Sequence, residues 1–237
     1  QIRAAGTATI TANQAGDSAY NAATAVTQTL TVGYYNLQAN SLPGIRLWLD
    51  GNNLDGDNTE DTTHNDSALT DGLPISGSWI DQSGNDQDGG QANSTNRPTY
   101  GLAALNGKGV IHFTAVQSLD LSGNGDSQIR SIAAVIKQAT TQSAVTKPFG
   151  GNQNLTTSAQ KFALGAADSG ISTTSYHVVV WQFAAGAYSI HIDGANKGSS
   201  SSSLAPDAFD KVGNDFAGSI AEIVAYDRGL SDGVLKK

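Results

Sequence analysis

The sequence predicts an all-β protein built as an antiparallel two-sheet sandwich or jelly roll. Three observations predict it. Short segments of alternating apolar and polar residues recur along the chain, turn signals separate them, and no convincing amphipathic helix appears. The composition agrees. Only 14% of residues are charged, while 27 glycines and abundant Ser, Thr, Asn and Ala favour short strands joined by turns. At 237 residues, the chain is long enough for one large sandwich with a thin core.

Residues 1–33 form a first segment. Gly6 to Ala12 and Ala25 to Val32 each alternate β-branched and small residues, and the stretch Asn13 to Asn21 between them is turn-rich. This reads as a strand pair, which alone is marginal in water. Residues 34–42 read as a linker, and Pro43-Gly44 punctuates entry into a second unit, 43–237.

In that unit Ile45 to Asp50 reads as a strand with one buried face, and Ser78 to Asp81 as a short second strand. The turn pair Asn106-Gly107 precedes a strand over Gly109 to Phe113. Further strands are expected at 117–121, 129–137, 161–165 and 177–183. Ala187 to Ile192 alternates and meets a turn at Asp193-Gly194, and Ser219 to Asp227 closes the set. Ser231 is placed to cap a short helix over 232–237. Ser199 to Ser203 reads as a loop.

The string GTATITANQAGDSAYNAATAVTQTLTV resembles the closing strands of bacterial immunoglobulin-like repeats. LWLDGNN, WIDQSGNDQDG, RPTYGLAALNGKGVIHF and FAGSIAEIVAYDRGLSDG, in that order, resemble landmarks of concanavalin A-like (laminin-G-like) domains of bacterial secreted or surface proteins. The resemblance implies a concanavalin A-like jelly-roll sandwich at 43–237 with a short N-terminal Ig-like β segment, a bound calcium ion, and recognition of carbohydrate or of a cell-surface glycan or peptide. It also implies an extracellular or cell-surface location.

A net charge of −8 argues against nucleic acid, which demands clustered Lys and Arg, and favours divalent cations. No cysteine is present, which removes disulfides and thiolate metal sites. No apolar run of about 18 residues spans a membrane. The opening Gln1-Ile2-Arg3 gives the expectation of a segment tethered to neighbouring domains of one long chain.

The sharpest local signal is the acidic stretch from Asp50 to Asp66. Oxygen-bearing side chains at alternating positions, with glycines for tight turns, suit calcium's 6–8 contacts. Asp55, Asp57 and Asp61 are the first expected ligands, with Asn53, Thr59 and Asp66 in reserve. The same residues also suit a solvated turn-rich loop. Asp81 is expected to hold the amides of the Ser-Gly-Asn turn that follows it. Trp48, Trp79 and Trp181 are expected in the core, while Tyr100 and Tyr188 are the exposed-aromatic candidates for ligand contact.

Many glycosidases of this shape carry two carboxylates facing one cleft from a single strand. Only two glutamates occur; Glu60 lies in the acidic loop, and Glu222 has no carboxylate at 220 or 224. No catalytic residues are assigned. Three functions stand: a non-catalytic recognition module of a larger adhesin or secreted protein, a calcium-rigidified spacer, or a glycoside hydrolase or lyase of the same fold.

Overall fold

The computed structural model describes residues 6–32, 43–57, 69–75, 77–122, 126–140, 149, 160–164, 167–184, 187–200, 209–213 and 215–231. The chain divides into two compact units, Gln1–Gln38 and Ala39–Lys237.

In the first unit β1 (Gly6–Ala12) pairs antiparallel with β2 (Val26–Val32), Thr9 opposite Thr29 and Ile10 opposite Gln28. Alternation puts Thr9, Thr11, Thr27 and Thr29 on one face and Ile10, Ala12, Val26 and Leu30 on the other. Asp17 Oδ1 accepts the amides of Ala19 and Tyr20 in the connection.

The second unit is an all-β sandwich. Its larger sheet runs in the order β13 (Ala195–Ser200), β12 (Ala187–Ile192), β11 (His177–Ala184), β8 (Ser131–Gln138), β15 (Gly218–Tyr226), β6 (Lys108–Phe113), β5 (Thr99–Leu105). The remaining strand of this sheet, β3 (Ile45–Asp50), also pairs with β15. Every pairing is antiparallel. Facing this sheet are β4 (Gly89–Gly90), β7 (Leu119–Leu121) and β14 (Lys211–Val212), and the pair β9 (Lys161–Leu164) and β10 (Ala167–Ser172).

Side chains alternate on each strand, so one face of the large sheet builds the core. Leu47 and Leu49, Ile111 and Phe113, Ile132 and Ile136, Val179 and Trp181, Ile190 and Ile192, and Ile220 and Ile223 point inward. They meet Leu119, Leu121, Phe162, Leu164, Phe209 and Val212 from the facing layer. Trp181 is fully buried; its indole N–H donates to the Ala163 carbonyl at 2.8 Å, and Phe149 and Phe162 pack edge-on against it.

Two turns have the backbone that their sequences predict. Asn106 and Gly107 take φ of 52° and 81°, and Asp193 and Gly194 take 50° and 78°, the left-handed pairs that suit the twist of a tight hairpin. The expected strand over Ser78 to Asp81 reduces to a bridge between Trp79 and Gly89. There the Asp81 carboxylate turns the chain: Oδ1 accepts the amides of Trp48 and Ser83, both at 2.9 Å, and Oδ2 accepts the Ser83 hydroxyl at 2.7 Å and the Gln87 amide at 3.1 Å. Ser199 and Ser200, expected in a loop, belong to β13. The expected helix over 232–237 lies outside the described residues.

β15 changes partner partway along. Its first residues pair with β6, Ser219 opposite His112, and its later residues with β3, Glu222 opposite Asp50. Against β8 the register shifts between Ile220 and Glu222, a bulge at Ala221. The Ala221 carbonyl accepts the Gly51 amide at 2.7 Å. A Cβ on Gly51 would stand 2.6 Å from that oxygen, so the approach requires glycine.

Candidate functional site

The face of the large sheet opposite the core carries the chemistry. Ladder partners on neighbouring strands lie side by side, so this face can be read in rows. The first row is His112, Ser219, Lys137 and then Tyr176, which precedes β11. The second is Asp50, Glu222, Val135 and Val178. The third is Trp48, Val224, Ala133, Val180 and His191. Tyr226, Ser131, Gln182 and Ser189 form the fourth. Successive rows lie about 7 Å apart, two residues along a strand.

Trp48 is half-buried, unlike Trp79 and Trp181, which are fully buried as expected for core. Its backbone amide goes to Asp81, and its indole N–H donates to Glu222 Oε1 at 3.0 Å. The ring is therefore fixed at both ends. Glu222 is also half-buried. Burial pushes its carboxyl up from the ordinary value, the neighbouring Asp50 charge adds to this, and the Trp48 hydrogen bond opposes it. Asp50 in turn accepts the Asn52 amide at 2.8 Å. Strand alternation examined along one strand misses this carboxylate pair, because its second member comes from a strand about 170 residues earlier.

Between these groups the surface is aliphatic. Val178 is 48% exposed, and Ala133, Val135 and Val224 are half-buried. Tyr226 is also half-buried, its phenol pushed up by burial and by Glu222, with Arg228 opposing. At the fourth row the segment after β15 closes over the sheet. The Ser131 hydroxyl donates to the Arg228 carbonyl at 2.8 Å, and Gln182 Oε1 accepts the Leu230 amide at 2.7 Å.

The first row has a different character. His112 Nδ1 and Ser219 Oγ share a hydrogen bond of 2.7 Å. The Lys137 ammonium lies 4.5 Å from the centre of the Tyr176 ring. Burial and the Lys137 charge lower the His112 pKa, and Asp71 opposes them. Burial raises the Tyr176 phenol, while the nearby Ser219 hydroxyl acts the other way. Among the described residues no hydrogen bond of acceptable geometry reaches the Tyr176 hydroxyl, which is shielded from solvent. Leaving such a group unpaired costs about 1–3 kcal/mol. Gly101 makes room for the histidine, since a Cβ there would stand 2.2 Å from His112 Nε2.

The expected calcium ligands fall in two groups. Asn53 is buried; its side-chain oxygen accepts the Gly56 amide at 3.0 Å and its side-chain N–H donates to Gln82 at 3.3 Å. Asp55 and Asp57 are exposed, and Asp55 Oδ1 accepts the Asp57 amide at 3.0 Å. Thr59, Asp61 and Asp66 lie outside the described residues. Among the described residues no three His, Asp or Glu side chains gather as a metal site. The donor set, carboxylates with amide and carbonyl oxygens, is of the hard kind that calcium takes.

Tyr100 and Tyr188 are corrected. Both are buried, 1% and 5% exposed, and belong to the core cluster. Tyr188 lies on the same side of its strand as Ile190 and Ile192, and the Tyr100 hydroxyl reaches the space that a side chain on Gly109 would fill. Neither ring is available to an outside ligand; the half-exposed aromatics of this unit include Trp48 and Tyr226.

No family model matches the chain, and no curated protein matches it. Among solved structures, domain 4 of AbnA, an extracellular arabinanase from Geobacillus stearothermophilus in complex with arabinotriose, is 16% identical at a TM-score of 0.45, over 66% of this chain and 90% of that one. Trypanosoma rangeli sialidase is 14% identical at a TM-score of 0.47, over 82% of this chain and 32% of the sialidase. The binding domain of botulinum neurotoxin DC, in complex with SialylT, is 11% identical at 0.41, over 81% of this chain and 50% of that one. The match thus spans about a third of the sialidase and half of the toxin domain. None of these likenesses is strong enough to transfer an activity.

Proposed function

We propose that the second unit is a carbohydrate-recognition module that takes its ligand on the outer face of the large sheet. The observation that supports this most is Trp48: a half-buried residue whose indole is held by its N–H to Glu222 and whose backbone is held to Asp81, beside an aliphatic strip. Sugars present apolar C–H faces ringed by hydroxyls. They suit a rigid aromatic plate beside fixed acceptors such as Glu222 and Asp50. On this reading the unit is a concanavalin A-like jelly roll, the first unit is part of an Ig-like repeat, and both belong to an extracellular adhesin or secreted protein. Asp55 and Asp57, with Asn53, Thr59, Asp61 and Asp66, are proposed to hold a calcium ion that stabilises the loop between 50 and 66.

The test is a glycan array followed by calorimetry on the hits, with wild type and Trp48→Ala. The variant should lose at least tenfold in affinity while its melting temperature stays within a few degrees. Unchanged affinity in Trp48→Ala would overturn the assignment of this face.

The Asp50–Glu222 pair favours a second reading, glycoside hydrolysis. Cross-strand neighbours hold their Cβ atoms about 4.5–5.5 Å apart, and a carboxyl with a raised pKa beside a second carboxyl suits acid and partner roles. Reducing-sugar release from polysaccharides, lost in Glu222→Gln, would establish it; no release from any glycan that binds would reject it.

A further inference from the structure

We infer that the row of His112, Ser219, Lys137 and Tyr176 is an anion subsite, and that the carbohydrate bound on this face is acidic, carrying a carboxylate or a sulfate group. The inference rests on the carbohydrate reading and deepens it. Three observations carry it.

The first is charge. In a chain of net charge −8, this row sets an ammonium on the ligand-facing side of the sheet. The Lys137 ammonium stands over the Tyr176 ring, a contact that leaves donors available, because a ring face occupies the cation without taking a hydrogen bond. The second is the Tyr176 hydroxyl, shielded from solvent and beside the Ser219 hydroxyl, but in no hydrogen bond of acceptable geometry among the described residues. An anionic oxygen arriving at Lys137 would offer this hydroxyl a well-aligned acceptor in place of that contact. The third is the His112–Ser219 pair. Its 2.7 Å hydrogen bond fixes a hydroxyl between the imidazole and the lysine strand. An ammonium, a phenol and a hydroxyl therefore share one row, and Asp71, the carboxylate that acts on His112, accepts the Leu102 amide at 2.9 Å.

The rows also set a spacing. Lys137 stands four residues from Ala133, which shares the Trp48 row, or about 13 Å along β8. A ligand stacked on Trp48 must extend past Glu222 to reach the subsite. This distance calls for an oligomer rather than a monosaccharide, with its charged group removed from the stacked ring.

The experiment uses the full chain and a panel of acidic polysaccharides, each with a neutral counterpart: polyuronates against their methyl esters, and sulfated galactans against their desulfated forms. Affinity is measured by calorimetry at two salt concentrations. At least one acidic member should bind tenfold or more tightly than its neutral form, and the preference should shrink in high salt. Lys137→Met should remove the preference, and Lys137→Arg should restore it. Tyr176→Phe should reduce it severalfold. The carboxylate and sulfate arms identify which group is read. Trp48-dependent binding of neutral glycans with no charge preference would overturn the subsite alone. A preference that survives Lys137→Met in a protein with an unchanged melting temperature would also overturn it. Binding to no member of the panel would overturn both the subsite and the recognition reading.

Discussion

The Trp48 indole N–H donates to Glu222 Oε1 at 3.0 Å, joining residues 174 positions apart in the chain. The contact links the ring proposed to stack on ligand to a carboxylate that burial and Asp50 hold above its ordinary pKa. The folded state therefore binds the Glu222 proton more tightly than the unfolded state does. The stabilisation this gives is fully present below the ordinary value of 4.5 and is lost as pH rises through the raised folded value. Glu222→Gln removes the titration. Urea unfolding at intervals from pH 4 to pH 7 should show wild type losing stability relative to the variant as pH rises. Parallel curves would count against a raised Glu222.

Asp81 should be among the most sensitive polar positions. Its buried carboxylate accepts three backbone amides and a hydroxyl. Asp81→Ala strands these donors, each bond to a charged acceptor contributing about 1.5–3 kcal/mol. The variant should lose at least about 2 kcal/mol in denaturant unfolding. It should also weaken glycan binding, because one of those amides belongs to Trp48.

Trp181 tests the core. It is fully buried against Phe149 and Phe162. Trp181→Ala should cost about 3–5 kcal/mol, measurable by chemical denaturation. Trp48→Ala, on the outer face, should cost far less. Equal losses would mean that Trp48 is also a core residue.

Calcium binding to the loop between 50 and 66 should raise the melting temperature by several degrees, since a ligand of the folded state stabilises it by mass action. Asp57→Asn and Asp61→Asn should each reduce the calcium-induced rise. A melting curve that is identical in excess calcium and in EDTA would remove the metal from the proposal.

The strands legible in the sequence are those that alternate cleanly and abut a turn dipeptide: Ala187–Ile192 before Asp193-Gly194, and Lys108–Phe113 after Asn106-Gly107. Gly218–Tyr226 was legible from its apolar run. Thr99–Leu105 and Ala195–Ser200 were not, because Gly, Ala and Ser carry little intrinsic strand preference and are held there by their ladder partners. The role of Asp81 was readable because its partners at 83 and 87 are close in sequence. The outer face was not, because its rows unite β3, β6, β8, β11 and β15. Asp50 reads both as the end of a strand and as the start of an acidic loop, but nothing near it in sequence places it beside Glu222. Trp48 reads as core because its neighbours are apolar, yet its side chain alternates to the other face.

The bulge at Ala221 has a consequence for how such a surface arises. Ser219 and Glu222 are an odd number of positions apart, and in an unbroken strand they would project to opposite sides. One supernumerary residue reverses the parity, so that the polar pair of β6 and β15 and the carboxylates of β3 and β15 look out the same way. Excising that residue would turn one half of the strand inside out, driving either a hydroxyl and its imidazole neighbour or an acid into the oily interior. A single-codon insertion is thus enough to merge two short polar patches into one continuous track.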